Sequence, residues 1–224
     1  RIYSQMGYAF AKHIFGIKGS YAVDPQKGAV VMTLTTQGDA PIHYTLDGSE
    51  PTAASPRYTG PVEIGKSARF RATALREGGE NASYSREFAF SKSTGRPAVL
   101  NTKPNDSYTF EGASLLVDGY HSRPVFTSGA WLGYLDEPLD VTIDMGGEQS
   151  YRSVELETLA EKGDWIFPPS SVTVWVSDNG TDFTEVASVA VPEAKAGDAD
   201  GIGRYRMQFP ETSARYLKVV AQNA

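Results

Sequence analysis

The chain has 224 residues, 40% of them hydrophobic, which is enough for a packed core and argues against global disorder. Its net charge of -6 is uneven: residues 1–92 carry +3 and residues 93–224 carry -9, so the acidic second half makes nucleic acid a poor partner. Cysteine is absent, which excludes disulfides and thiol catalysis, and no run approaches the ~18 apolar residues of a membrane-spanning helix.

Residues 1–17 hold Tyr3, Met6, Tyr8, Phe10, Ile14 and Phe15 without helical or strand period. Such a segment is expected to pack against something else. The chain opens at Arg1 with neither methionine nor a signal-peptide pattern, so the expectation is a removed leader or a longer parent protein. Beyond it, 22 glycines and 13 prolines punctuate short apolar runs, the pattern of strands joined by turns. Residues 29–36 are β-branched and strand-like. Residues 42–46 alternate into the turn Asp47-Gly48, where the aspartate can accept backbone N–H bonds and the glycine takes positive φ. Further strands are expected at 62–64, 68–75 and 83–90. In the second of these Arg69 and Arg71 share one face, with Phe70, Ala72 and Ala74 on the other.

Residues 91–97 are polar and mark a short boundary. Strands are then expected at 141–146, 154–157, 172–176 and 216–220, with Asn179-Gly180 as a tight turn towards 183–186. No amphipathic run of helical period exceeds two turns. The reading is all-β in both halves.

Catalytic signatures are missing. Asp136-Glu137 is the single adjacent Asp-Glu pair, placed before Pro138 in a loop, where paired carboxylates read as a solvated turn. His13, His43 and His121 are dispersed, and His43, mid-strand, reads as a structural hydrogen-bonding residue. One neighbourhood has binding chemistry. Tyr120, His121, Arg123, Phe126, Trp131 and Tyr134 combine flat aromatic faces with planar polar groups, the residue types that hold sugars. The competing reading places Trp131 in the core.

Ile42 through Thr52, containing Thr45-Leu46-Asp47-Gly48-Ser49-Glu50-Pro51-Thr52, followed by Ser55-Pro56-Arg57-Tyr58-Thr59-Gly60-Pro61, resembles the C-terminal domain of chitobiases and β-hexosaminidases. The second half resembles the discoidin, or coagulation factor V/VIII type C, domains, which include family 32 carbohydrate-binding modules. The residues that carry this are Leu116-Val117-Asp118-Gly119, Trp131-Leu132-Gly133, Val141 to Gly146, Pro169 to Val186, and Ala214 to Val219. The order of the two domains resembles the tail of Bacteroides-type family 20 β-N-acetylhexosaminidases.

These resemblances imply an Ig/fibronectin-like β-sandwich at 21–92 and a discoidin-like (galactose-binding) jelly roll at 93–224. Residues 1–20 would be a segment following an upstream catalytic barrel. They imply a non-catalytic accessory region of a secreted glycoside hydrolase, periplasmic or extracellular and associated with the outer membrane. Asn105, Tyr120, His121, Arg123, Trp131 and Tyr134 would be the sugar contacts. No cofactor is required, but relatives hold a structural Ca²⁺, for which Asp118 and Ser122 are the candidate ligands, with Gln222 where a late acid would stand. The alternative is a structural spacer or a protein-interaction module that binds neither sugar nor metal.

Overall fold

The computed structural model describes residues 16–36, 40–76, 81–195 and 197–224. The chain divides into two compact units with the boundary between Ala89 and Phe90. Residues 1–15, including His13 and the aromatic run, lie outside the described residues.

The first unit contains β1 (Ile17–Asp24), β2 (Ala29–Thr36), β3 (Ile42–Thr45), β4 (Val62–Ile64), β5 (Ala68–Ala74) and β6 (Ala82–Phe88). They form two three-stranded antiparallel sheets, in the orders β1-β2-β4 and β3-β5-β6. Alternation decides which side chains meet between the sheets. Val30, Met32 and Leu34 of β2 are buried, as are Phe70, Ala72 and Ala74 of β5. Arg69 and Arg71 take the outer face and pair with Glu87 and Glu50. Tyr44 stacks on Phe70 with ring centroids 5.7 Å apart, and Tyr84 meets Phe70 edge-on at 6.4 Å. Burying a ring of this size contributes roughly 1.5–3 kcal/mol.

The first sheet includes a strand, Ile17–Asp24, that the apolar pattern of the sequence does not announce. The interruption at Gly19 is steric: a Cβ there would lie 2.3 Å from Tyr84 Cζ, so only a glycine lets the Tyr84 ring lie against β1. At the Asp47 turn, Oδ1 accepts from the Ser49 amide at 3.0 Å and from the Ser49 hydroxyl at 2.6 Å, with Gly48 at φ +85°. Those bonds, the hydroxyl's first, hold the Asp47 carboxyl below the usual carboxylate range. His43 Nδ1 lies 2.7 Å from the Ser55 carbonyl oxygen and ties β3 to the following loop.

The second unit contains β7 (Ala98–Leu100), β8 (Leu139–Ala160), β9 (Ser171–Ser177), β10 (Thr184–Ala190) and β11 (Gly201–Gln222), in one antiparallel sheet of order β10-β9-β11-β8-β7. The two segments expected at 141–146 and 154–157 are parts of a single 22-residue strand, β8, which pairs with β11 over nearly its whole length. The pairing slips between Gln208 and Thr212 and between Ala214 and Tyr216, and such bulges bend a ribbon. The core accordingly draws side chains from both halves of each long strand: Val141, Ile143 and Tyr151 from β8, Met207, Phe209, Leu217 and Val219 from β11. Tyr151 donates its buried hydroxyl to the Ala214 carbonyl at 2.9 Å, locking one bulge, and burial pushes the phenol up to about 12. Arg215 closes the same region with a two-pronged pair to Asp144 at 2.9 and 2.8 Å.

Residues 101–138, between β7 and β8, hold three short 3-10 turns at Asp106–Tyr108, Gly112–Leu116 and Phe126–Ser128. No helix among the described residues is long and apolar enough to cross a membrane. The Asn179-Gly180 turn is wider than a two-residue hairpin. Asn179 Oδ1 accepts from the amides of Thr181 and Asp182, each at 2.9 Å, and β10 starts at Thr184.

Candidate functional site

The β7–β8 connection runs alongside β8 for most of its length. It starts where the Asn101 amide donates to Asp140 near the beginning of β8, and it reaches Glu157 near the end through His121. Asp118, 4% exposed, accepts from the Tyr120 amide at 2.8 Å, a tight local turn just before His121. His121 Nδ1 then lies 2.9 Å from Glu157 Oε1, and Arg204 Nε donates to the same oxygen at 2.7 Å.

This cluster is built by strand register. Glu157 of β8 stands opposite Arg204 of β11, and Glu155 opposite Arg206. The Glu157 side chain is only 15% exposed, against 53% for His121 and 59% for Arg204. Burial alone would raise the Glu157 carboxyl, but hydrogen bonds from Arg204 and His121 more than offset it and hold the group below its ordinary value. The Glu157 bond raises Arg204 in turn. The outcome is a largely covered carboxylate flanked by an exposed imidazole and an exposed guanidinium. Among the described residues the imidazole Nε2 and the terminal guanidinium nitrogens keep no protein partner.

The other expected contacts fall into two neighbouring places. The carbonyl of Arg123 accepts from the Trp131 indole N–H at 3.0 Å, so these two residues are brought together, with Trp131 half-buried and the Arg123 side chain exposed. Asn105 is exposed, but its side chain caps the first 3-10 turn by accepting from the Ser107 amide, and its own amide donates to Gly133. Tyr134 beside it has a buried hydroxyl, and burial raises its phenol, so that end of the ring faces inward. Tyr120 is half-buried. Phe126 packs edge-on against Tyr108 at 6.3 Å.

Ser122 donates to the neighbouring Arg123 carbonyl at 3.3 Å, and Asp118 is engaged by Tyr120. Calcium takes six to eight oxygens, so backbone carbonyls would have to supply most of them here. Among the described residues no three His, Cys, Asp or Glu side chains group into a metal site. Asp136 and Glu137 are exposed, and Glu137 accepts from the Lys103 amide at 2.9 Å, a loop tie. Sequence reasoning missed Glu157, the partner of His121, and Arg204, which shares the same Glu157 oxygen. The alternation Val154-Glu155-Leu156-Glu157 and Arg204-Tyr205-Arg206 hints at matched charges on one face, but the register that joins them is not local.

Residues 101–224, more than half of the chain, match the F5/8 type C domain. The chain belongs to that family. Residues 21–86 match the chitobiase/β-hexosaminidase C-terminal domain, and together the two domains make up a non-catalytic accessory region. No curated protein matches the chain. Among solved structures, it is similar to chitosan-binding module 2 of a Paenibacillus sp. IK-5 chitosanase/glucanase in complex with chitotriose, at 16% identity, covering 59% of this chain and 88% of the module with a TM-score of 0.39. A Clostridium perfringens module in complex with GalNAc-β-1,3-galactose shares 17% identity over 57% of this chain and 84% of its own, with a TM-score of 0.39. The C-terminal domain of a Bacteroides fragilis chitobiase shares 19% identity over 57% of this chain and 82% of that domain, with a TM-score of 0.35. Within the F5/8 type C domain, the β7–β8 connection and the β8–β11 ribbon carry the cluster described above.

Proposed function

We infer that the chain is the accessory tail of a secreted glycoside hydrolase, a β-N-acetylhexosaminidase with its catalytic barrel upstream, acting in the periplasm or outside the cell. Its F5/8 type C domain holds a terminal sugar weakly at the edge carrying His121, Arg123 and Trp131. The observation that carries this is the pairing of His121 and Arg204 on one Glu157 oxygen, which leaves the guanidinium further N–H donors and the imidazole its second ring nitrogen. Sugar hydroxyls accept from such donors and donate to a carboxylate, while an aromatic face takes the C–H side of the ring. The chitobiase-type first domain supports the choice of parent enzyme.

The edge is shallow, so affinity should be on the order of 0.1–1 mM, about -4 to -5.5 kcal/mol. Its value would lie in avidity, holding a linked catalytic domain near polymeric glycan. The test is a monosaccharide panel, with galactose and N-acetylhexosamines, followed by the amide shifts of residues 104–134, 157 and 204. Shifts that saturate in the native chain and vanish in Arg123→Ala or His121→Ala support the site. Unmoved signals at millimolar sugar, or shifts unchanged in both variants, overturn it in favour of a spacer. Turnover of a chromogenic N-acetylglucosaminide by the purified chain would overturn the accessory reading.

A further inference from the structure

The chain holds five asparagines, and Asn179 alone is followed by glycine. That pair carries its own chemistry. A backbone amide nitrogen can attack the Cγ of the asparagine before it, and a side chain on the attacking residue hinders the approach; glycine has none. Here the glycine cannot be exchanged. Gly180 sits at φ +78°, and a Cβ there would lie 3.3 Å from Cζ of the Tyr216 ring. The turn that leads β9 towards β10 therefore requires the residue that makes its neighbour labile.

The groups around the pair hold both reactants. The Gly180 amide, the nucleophile, donates to Ser177 Oγ at 3.0 Å. Asn179 Oδ1 accepts from the Thr181 and Asp182 amides at 2.9 Å each and from the hydroxyls of Ser177 and Thr181 at 3.0 Å each. Asn179 Nδ2 donates to Asp182 Oδ2 at 2.7 Å. Ser177 is 4% exposed and so fixed at the end of β9, whereas Asn179 and Asp182 stand in solvent. Ring closure has to undo this arrangement, because a cyclic imide retains neither the Gly180 N–H nor the Nδ2 group. The bonds to Ser177 and Asp182 are both lost on the way.

We propose that Asn179–Gly180 is a masked modification site, at which the chain converts its own asparagine to aspartate and isoaspartate once the turn opens. The Gly180 nitrogen loses its proton to solvent and bonds to Asn179 Cγ; the Cγ–Nδ2 bond breaks and the nitrogen leaves as ammonia. Water then opens the five-membered imide. Cleavage between the ring nitrogen and Cγ gives aspartate, and cleavage at the former backbone carbonyl gives isoaspartate, with an extra carbon in the main chain. One water is consumed and one ammonia released, so the step needs no co-reactant beyond solvent.

The product does not close as the asparagine did. Aspartate still accepts from the Thr181 and Asp182 amides, but it sets a carboxylate oxygen against Asp182 where Nδ2 had donated, with Asp178 next in the chain. Isoaspartate also lengthens the turn. Each modified chain thus keeps a looser β9–β10 edge, and the change is irreversible. The site shares no residue with the His121 edge.

The experiment incubates the full chain at neutral pH, folded and in urea, and reads the mass gain and isoaspartate content of the peptide around residue 179. Asn81, Asn101, Asn105 and Asn223 serve as references within the same chain. The folded chain should modify Asn179 at least about tenfold more slowly than the unfolded one, since only the open fraction reacts; tenfold corresponds to about 1.4 kcal/mol of local opening. Asp182→Ala and Ser177→Ala should each raise the folded rate several-fold and leave the rate in urea unchanged. Asp182→Asn, which keeps an acceptor, should stay close to the native chain. Asp182→Ala carries the decision, because that side chain is exposed and outside the core. Its acceleration must be confined to Asn179; no acceleration, or one shared equally by the reference asparagines, overturns the proposal. Equal rates folded and in urea remove the mask. A faster rate in the folded chain overturns it too, by showing that Ser177 and the turn amides promote the reaction.

Discussion

In the first unit Phe70 and Phe88 are buried to 1% or less, and Tyr21, Tyr44 and Tyr84 pack their rings on them. In the second, the core is dominated by valine, leucine and methionine on five strands, and Phe110, Trp165 and Phe167 stand out in solvent. The polar residues divide similarly. The first unit uses Asp47 and His43 to fix its own loops, whereas in the second His121 and Arg204 meet on the Glu157 carboxylate and stand exposed at an edge. A small sandwich with short strands needs its rings for cohesion. A unit with two 22-residue strands gets most of its cohesion from aliphatic layers, with Tyr151 and Phe209 among them, and leaves Phe110, Trp165 and Phe167 exposed.

The sharpest break of that contrast is Phe70→Ala. It should cost about 3–5 kcal/mol, read as faster hydrogen exchange of the β5 and β6 amides, while Trp165→Ala leaves stability nearly unchanged. Comparable losses from both would erase the distinction between cohesive and presented rings. Next is Gly48→Val, which places a β-branched side chain at φ +85° with its Cβ 3.1 Å from Arg69 Cβ. The expected loss is about 1–3 kcal/mol, with Gly48→Asn costing clearly less, both measured by urea unfolding. Equal losses would mean that crowding, and not handedness, governs the turn.

Tyr151→Phe tests whether the one large polar ring of the second core is there for its hydroxyl. Leaving the Ala214 carbonyl without its donor should cost about 1–2 kcal/mol, and no change in the unfolding midpoint would reassign Tyr151 to packing alone. The smallest effect concerns Glu157. Its carboxyl is lower in the folded chain than unfolded, so its stabilisation is present above the unfolded carboxylate range and is lost as pH falls through the folded value. Glu157→Gln should flatten that acid limb by about 1 kcal/mol or less, as measured by unfolding at a series of pH values. An acid limb as steep in the variant as in the native chain would show that the cluster serves no structural end.

Much of the architecture was readable because it is local. The alternation in β2, β5 and β9 and the Asp47-Gly48 turn depend on residues a few positions apart. β1 was not readable: Lys18, Gly19 and Ser20 dilute its pattern, and its glycine is explained only by Tyr84, far along the chain. The continuity of β8 was hidden because Gly146-Gly147-Glu148 looks like a loop and is instead a bend within one strand. At the candidate site the residue types around 120–134 were legible, but Glu157, the partner of His121, was not, since it meets Arg204 through a register no short window contains. The inward hydroxyl of Tyr134 and the exposure of Trp165 are likewise properties of packing.

The long ribbon also sets an order of events when the chain folds. β9 and β10 are close in sequence and can pair early, but β8 and β11 meet from Gly201 against Ala160 to Ala221 against Leu139, with the whole of β9 and β10 lying between. Closing that loop sacrifices chain entropy before most of the contacts that reward it exist. β11 must also fit between β9 and β8, so neither of its edges is complete until both neighbours are in place. The second unit should therefore fold more slowly than the first, through a state in which the hairpin is formed and β8 waits with an open edge, and it is in that interval that the chain is most exposed to pairing with another copy of itself.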